Sequence, residues 1–259
     1  MKKGVYENFY KNFEVDEIID KKSINSFLLN YYENLSDASL GWRIYELKSN
    51  GFMIAEEKGT YLVLDKDKYI KFKVEFDEAL LNHIKDYNKE MVKVKRMFPD
   101  EKNLNICIWN TRILNSFTTH QTFKNYNIIE IDNDRIENLF YNLRGFNNNV
   151  FMMKDIKNKE YLLADNSNVI DKLPLRSPLE KKRSYKEYFV SFPKIEKILV
   201  DIFVYNKTIL PYDNEEIENI YRNVFKKHIV KRNTLLNYAR IRGTKIRELV
   251  VNMLLRIGE

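Results

Sequence analysis

The chain has 259 residues, 44% of them hydrophobic and 14% aromatic, enough to build one small and one larger core, which excludes a chain disordered along most of its length. No stretch approaches the ~18 uninterrupted apolar residues of a spanning helix, and Met1, Lys2, Lys3 and Gly4 lead into polar residues instead of the apolar run of an export signal. The lone Cys107 forms no internal disulfide, which fits a reducing compartment, so the expected location is cytoplasmic, without membrane contact.

The net charge of +7 is unevenly placed. Residues 1–64 carry 8 Lys and Arg against 10 Asp and Glu, whereas residues 220–259 carry 10 against 2. Lys226, Lys227, Lys231, Arg232, Arg240, Arg242, Lys245 and Arg247 are therefore the electrostatic candidates for phosphate or for a partner surface. A merely solvated basic face explains them equally well.

In chain order, residues 1–13 read as a helix with Val5, Phe9 and Phe13 at i, i+4 and i+8. A short apolar and acidic stretch, 15–19, follows. Asp20 or Ser23 caps a second helix carrying Ile24, Phe27, Leu28 and Tyr31. Ser36 caps a third, with Leu40, Ile44 and Leu47 on one stripe, stopped by Asn50 and Gly51. The period then changes to two: residues 52–55 and 60–64 read as strands joined by a tight turn at 56–59. Three helices followed at once by a hairpin is the order of a winged helix-turn-helix.

Residues 65–68 read as a charged hinge, 69–76 as an alternating run, and the stretch before Pro99 as a helix. From residue 103 strands and helices alternate: 104–109 strand, 111–117 helix, 126–131 strand, 134–143 helix, 150–153 strand. The chain is mostly helical from Lys194, with Pro193 and Pro211 near helix starts and Gly243 between the last two helices. The expected class is α+β: an N-terminal winged helix over 1–72, a linker and connecting helix over 73–102, and a mixed α/β domain over 103–259 with a basic helical end.

In a winged helix the third helix enters the major groove and its outward residues read bases. The DNA-binding candidates are thus Ser36, Asp37, Ser39, Trp42, Arg43 and Lys48, with Lys58 at the wing tip for the backbone or minor groove. Arg43 is either the base or phosphate reader or an ion-pair partner of Glu46 or Glu33. Trp42 reads as a core or interface aromatic before it reads as a DNA contact. A module with more acids than bases binds DNA weakly alone, so affinity has to come from dimerisation or from the basic C-terminal helices.

Signatures of catalysis are scarce. His83, His120 and His228 have no second ligand at helical spacing, and no Walker loop, dinucleotide fingerprint or nucleophile elbow occurs. No metal, cofactor or catalytic residue is expected. Glu130 and Asp132 at a strand end, with Lys154 or Lys159 downstream, imitate a metal-dependent nuclease core and leave that alternative open. An RNA or protein interaction module using the basic C-terminal face is the other. Asn115, His120 and Gln121 line a recognition surface or serve as caps.

The stretch Gly41-Trp-Arg-Ile-Tyr-Glu-Leu-Lys-Ser-Asn-Gly51, followed by a short wing, resembles the N-terminal domain of AbiEi-type antitoxins, the DNA-binding partners in abortive-infection toxin-antitoxin operons. Residues 106–121 and 194–203 are similar to the C-terminal region of AbiEi-like proteins encoded beside nucleotidyltransferase toxins. The resemblance implies a non-catalytic antitoxin that represses its own operon by binding promoter repeats as duplex DNA. It also implies a C-terminal domain that counteracts a nucleotidyltransferase toxin, with or without direct contact, and DNA-reading roles for Ser39, Arg43 and Lys58. A homodimer on DNA is one assembly that would supply the missing affinity, and the sequence leaves the oligomeric state open.

Overall fold

The computed structural model describes residues 2–65, 78–97, 105–119, 122–156, 163–181, 190–206 and 208–259, of which 88–97 and 181 are described as backbone. The run 69–76, the hinge beyond Asp65, and His120, Gln121 and Lys159 lie outside the described residues. The protein is mixed α and β and divides into two compact units, Met1–Lys71 with Lys227–Ile229, and Phe72–Lys226 with Val230–Glu259.

The first unit runs α1 (Lys3–Asn12), β1 (Ile18–Asp20), α2 (Lys21–Leu29), α3 (Asp37–Ser49), β2 (Met53–Ala55) and β3 (Thr60–Val63). The Asp20 carboxylate accepts the Ser23 N–H at 2.7 Å and starts α2, as the Ser36 hydroxyl starts α3 by accepting the Ser39 N–H at 3.3 Å. That hydrogen bond from Ser23 holds the Asp20 carboxyl below its ordinary pKa. Gly51 at φ +80° ends the α3 turn and Gly59 at φ +91° closes the hairpin, backbone that a side chain would strain. The strands pair antiparallel in the order β1-β3-β2. No strand was expected over 15–20: β1 has three residues and one inward side chain, Ile19, too few to display a period. Phe9 is the centre of this core, with ring centroids of Phe13, Phe27 and Phe52 within 5.9 Å of its own.

The second unit is built on a sheet of order β6-β7-β5-β4-β9-β8. After α4 (Glu78–Met97) come β4 (Ile106–Asn110), a 3-10 turn (Thr111–Ser116), β5 (Asn127–Ile131), α5 (Ile136–Phe146), β6 (Val150–Met152), α6 (Met153–Ile156), β7 (Asn168–Lys172), β8 (Leu179–Lys181) and β9 (Val190–Pro193). Then follow α7 (Ile195–Tyr205), α8 (Asn214–Lys227), α9 (Arg232–Arg242) and α10 (Thr244–Ile257). The β4–β5 and β8–β9 pairs are antiparallel and the others parallel. Side chains alternate across the sheet, as strand geometry requires. Ile106, Ile108, Ile129 and Ile131 pack with Leu139 and Leu143 of α5 and Leu80 and Ile84 of α4, while Trp109, Ile128 and Val169 pack with the C-terminal helices. The expected helix over 111–117 is a 3-10 turn, opened by the Asn110 side chain accepting the Arg112 N–H at 2.8 Å.

Helix α7 lies in the interior: nine of its eleven residues are buried, Lys197 and Asp201 among them. Lys197 donates to both Glu130 of β5 and Asp201 one turn away. Arg242, at the end of α9, donates Nε to Asp201 at 2.8 Å and Nη2 to Glu130 at 2.9 Å. Tyr205 donates to Asp171 of β7 at 3.0 Å, and Tyr238 of α9 to Asp201 at 3.1 Å. Burial works against charge on Lys197, but Asp201 and Glu130 more than reverse it and hold the ammonium well above lysine's ordinary pKa. Two carboxylates and two cations thus balance where an unpaired charge is costly.

Removing one member of this group strands its partners. Arg242→Ala is expected to cost about 3–5 kcal/mol, read as a fall in the urea midpoint, and a cost below about 1 kcal/mol would contradict the arrangement. Phe9→Ala, which empties the first unit's core, is expected to cost a similar ~3–5 kcal/mol.

Candidate nucleic-acid interface

Helix α3 has one inward stripe, Leu40, Ile44 and Leu47, each 5% exposed or less. A helix advances 100° per residue, so this stripe forces Ala38, Trp42, Tyr45 and Ser49 to the opposite side and Arg43 and Glu46 to one flank. Trp42 therefore faces outward, as its place opposite the stripe requires; of its readings the core one is excluded, for it is 62% accessible and stacked on Tyr45 at a centroid distance of 5.4 Å. Lys48 is exposed on the other flank, and Lys58 is exposed in the turn between β2 and β3.

Of the two readings of Arg43, the ion pair forms. Its Nη1 donates to Glu46 at 2.9 Å, its guanidinium lies over the Tyr32 ring at 4.7 Å, and its side chain is 28% exposed. Tyr6 of α1 donates to the other Glu46 oxygen at 3.3 Å, and burial followed by the Glu46 charge raises the tyrosine's pKa. Arg43 is thereby drawn towards the flank of α3. Ser36 and Ser39 are engaged with each other, their hydroxyls 3.0 Å apart at the cap, and Asp37 is exposed in the first turn.

The basic C-terminal residues separate into two groups. Arg242 is not a phosphate contact: its side chain is 10% exposed and spent on Glu130 and Asp201. Arg232 is paired with Glu259. Lys231 is half-buried, and its N–H binds the Glu196 carboxylate at 3.0 Å. Lys226, Lys227, Arg240, Lys245 and Arg247 remain on the surface, and Arg240, Lys245 and Arg247 gather around the α9–α10 turn, which Gly243 makes at φ +131°.

The described residues read as a nuclease core are each engaged elsewhere. Glu130 is an interior ion-pair member, Asp132 accepts the Asn105 N–H at 3.3 Å, and Lys154 pairs with Glu137 at 3.2 Å. Among the described residues no group of three or more His, Cys, Asp or Glu is placed to hold a metal. His83 stacks on Phe146 at 4.4 Å, His228 is buried, and Asn115 is bonded to Asn125 and Thr122 within its own loop. Sequence reasoning missed the Glu130, Lys197, Asp201 group. Its one local signal is a Lys and an Asp four residues apart in an otherwise apolar helix.

No curated protein matches the chain. A family described as of unknown function (DUF6577) matches residues 39–255, from the first turn of α3 to near the end of α10. With most of its length covered by that match, the chain belongs to the DUF6577 family.

Proposed function

We propose that the protein is a DNA-binding antitoxin that represses its own operon and counteracts a nucleotidyltransferase-type toxin. The observation that carries the DNA-binding part is the first unit's element order, α1-β1-α2-α3-β2-β3, with β1 pairing β3 and a hairpin directly after α3. That order and pairing support a winged helix-turn-helix whose α3 lies in the major groove with the β2–β3 hairpin as the wing. The toxin partner follows from the resemblance of residues 41–51, 106–121 and 194–203 to AbiEi-type antitoxins. In this reading the chain performs no catalytic step.

Charge divides the work. The first unit holds more carboxylates than cations, so its own contribution to phosphate binding is small. Arg240, Lys245 and Arg247 around the α9–α10 turn, with Lys226, supply the counter-charge, and α3 supplies orientation in the groove.

Full-length protein is expected to retard the duplex immediately upstream of its own gene, with an affinity that falls as salt rises. Replacing Arg240, Lys245 and Arg247 together by Gln is expected to weaken binding alike for all sequences and to make the log-affinity against log-salt slope shallower by roughly 0.9 for each phosphate no longer neutralised. Co-expression with a neighbouring nucleotidyltransferase toxin is expected to restore growth. No retardation of that duplex, or of any duplex selected from a random pool, would sink the DNA-binding reading; growth arrest that persists would sink the antitoxin reading.

A further inference from the structure

The outward face of α3 is aromatic where a phosphate-binding helix is cationic. Trp42 and Tyr45 stand one turn apart, 62% and 56% exposed, their rings 28° from parallel. Ahead of them stands Ala38 on the same side, flanked by the small residues Ser39 and Gly41, and the space around Gly41 is open, with nothing within 4 Å of where a Cβ would sit. The first half of the helix is therefore slim enough to sink into a groove about 12 Å wide, with the two rings following it in. Stacking already orders the rings, so less rotamer freedom is lost when they meet a ligand.

The major groove presents mostly hydrogen-bonding atoms. Its one apolar feature is the thymine 5-methyl group. Guanine is most often read by a guanidinium bonded in two places, and the only arginine on α3 is held by Glu46 and Tyr32. Resting on the DNA-binding reading above, we propose that Trp42 and Tyr45, and not Arg43, set the sequence preference by packing their ring faces on thymine methyl groups. The protein then prefers thymine-rich sites, and Arg43 is a positioning residue that lies over Tyr32 and holds Glu46, the residue bonded to Tyr6 of α1.

The chemistry allows a direct test, because uracil pairs as thymine does and lacks only the methyl. Full-length protein is titrated with the duplex that a random pool yields on selection, then with copies in which each thymine in turn is replaced by uracil. Loss of about fourfold in affinity is expected at one or two positions, the effect of exposing one methyl-sized group. That penalty is expected to vanish in Trp42→Ala or Tyr45→Ala, whose exposed sites leave the thermal midpoint unchanged, and to persist in Arg43→Gln.

A second readout is independent of variants. Of the two tryptophans, Trp109 is fully buried, so acrylamide quenching of the native protein reports Trp42, and the selected duplex is expected to shield it. Tight binding with no uracil effect, or with Trp42 still open to acrylamide, would overturn this inference while leaving DNA binding intact. Shielding that depends on protein concentration and not on duplex would also overturn it, assigning the face to a second copy of the chain. Failure to bind any duplex would remove the DNA-binding reading itself, and the inference with it.

Discussion

The rotation of α3 about its own axis is fixed by three side chains, and the character of the candidate interface follows from that rotation. Burying Leu40, Ile44 and Leu47 is worth about 1.5–3 kcal/mol each relative to exposure, far more than any surface pair on the helix contributes. With the stripe inward, Trp42 and Tyr45 have no choice but to face out, and Arg43 is brought beside Glu46 and Tyr32. A turn of the helix large enough to free Arg43 would expose part of the stripe and break the hydrogen bond between Tyr6 and Glu46.

The second unit solves a different problem, which is how to keep charge inside an apolar layer. Helix α7 is almost wholly buried and carries a lysine and an aspartate, and the sheet brings Glu130 to meet them. Arg242 completes the neutralisation from α9. Each charged member has at least two polar partners, and the group links β5, β7, α7 and α9. The demand for neutrality also takes the most central arginine of the basic C-terminal segment away from solvent. What remains outside is a narrower cationic corner around Gly243 than composition alone implies.

Features with a local cause were legible in the sequence. Ser36 as a cap, the period of Leu40, Ile44 and Leu47, the stop at Gly51 and the turn at Gly59 each depend on residues within a few positions, and each occurs. Strands β7, β8 and β9 escaped because their cause is pairing at a distance: β8 is a three-residue strand at the sheet edge, and β9 ends in Pro193, one residue short of α7. The partners of Arg242 were hidden for the same reason, since Asp201 lies 41 residues away and Glu130 lies 112. Arg43 was a case of choice between near neighbours, and Tyr32 and Tyr6, which hold it and Glu46 in place, belong to other parts of the chain. The helical period places Trp42 outward, opposite Leu40, Ile44 and Leu47, and it is exposed there; the general tendency of tryptophan to be buried was the competing reading.

Backbone amide exchange in the full-length protein, with and without its upstream duplex, tests most directly whether α3 and the hairpin form the DNA face. Added protection concentrated in residues 37–49 and at the 56–59 turn, with a smaller change near residues 240–247, is the predicted result. A bound duplex that leaves the exchange of residues 37–49 and 56–59 unaltered would contradict it.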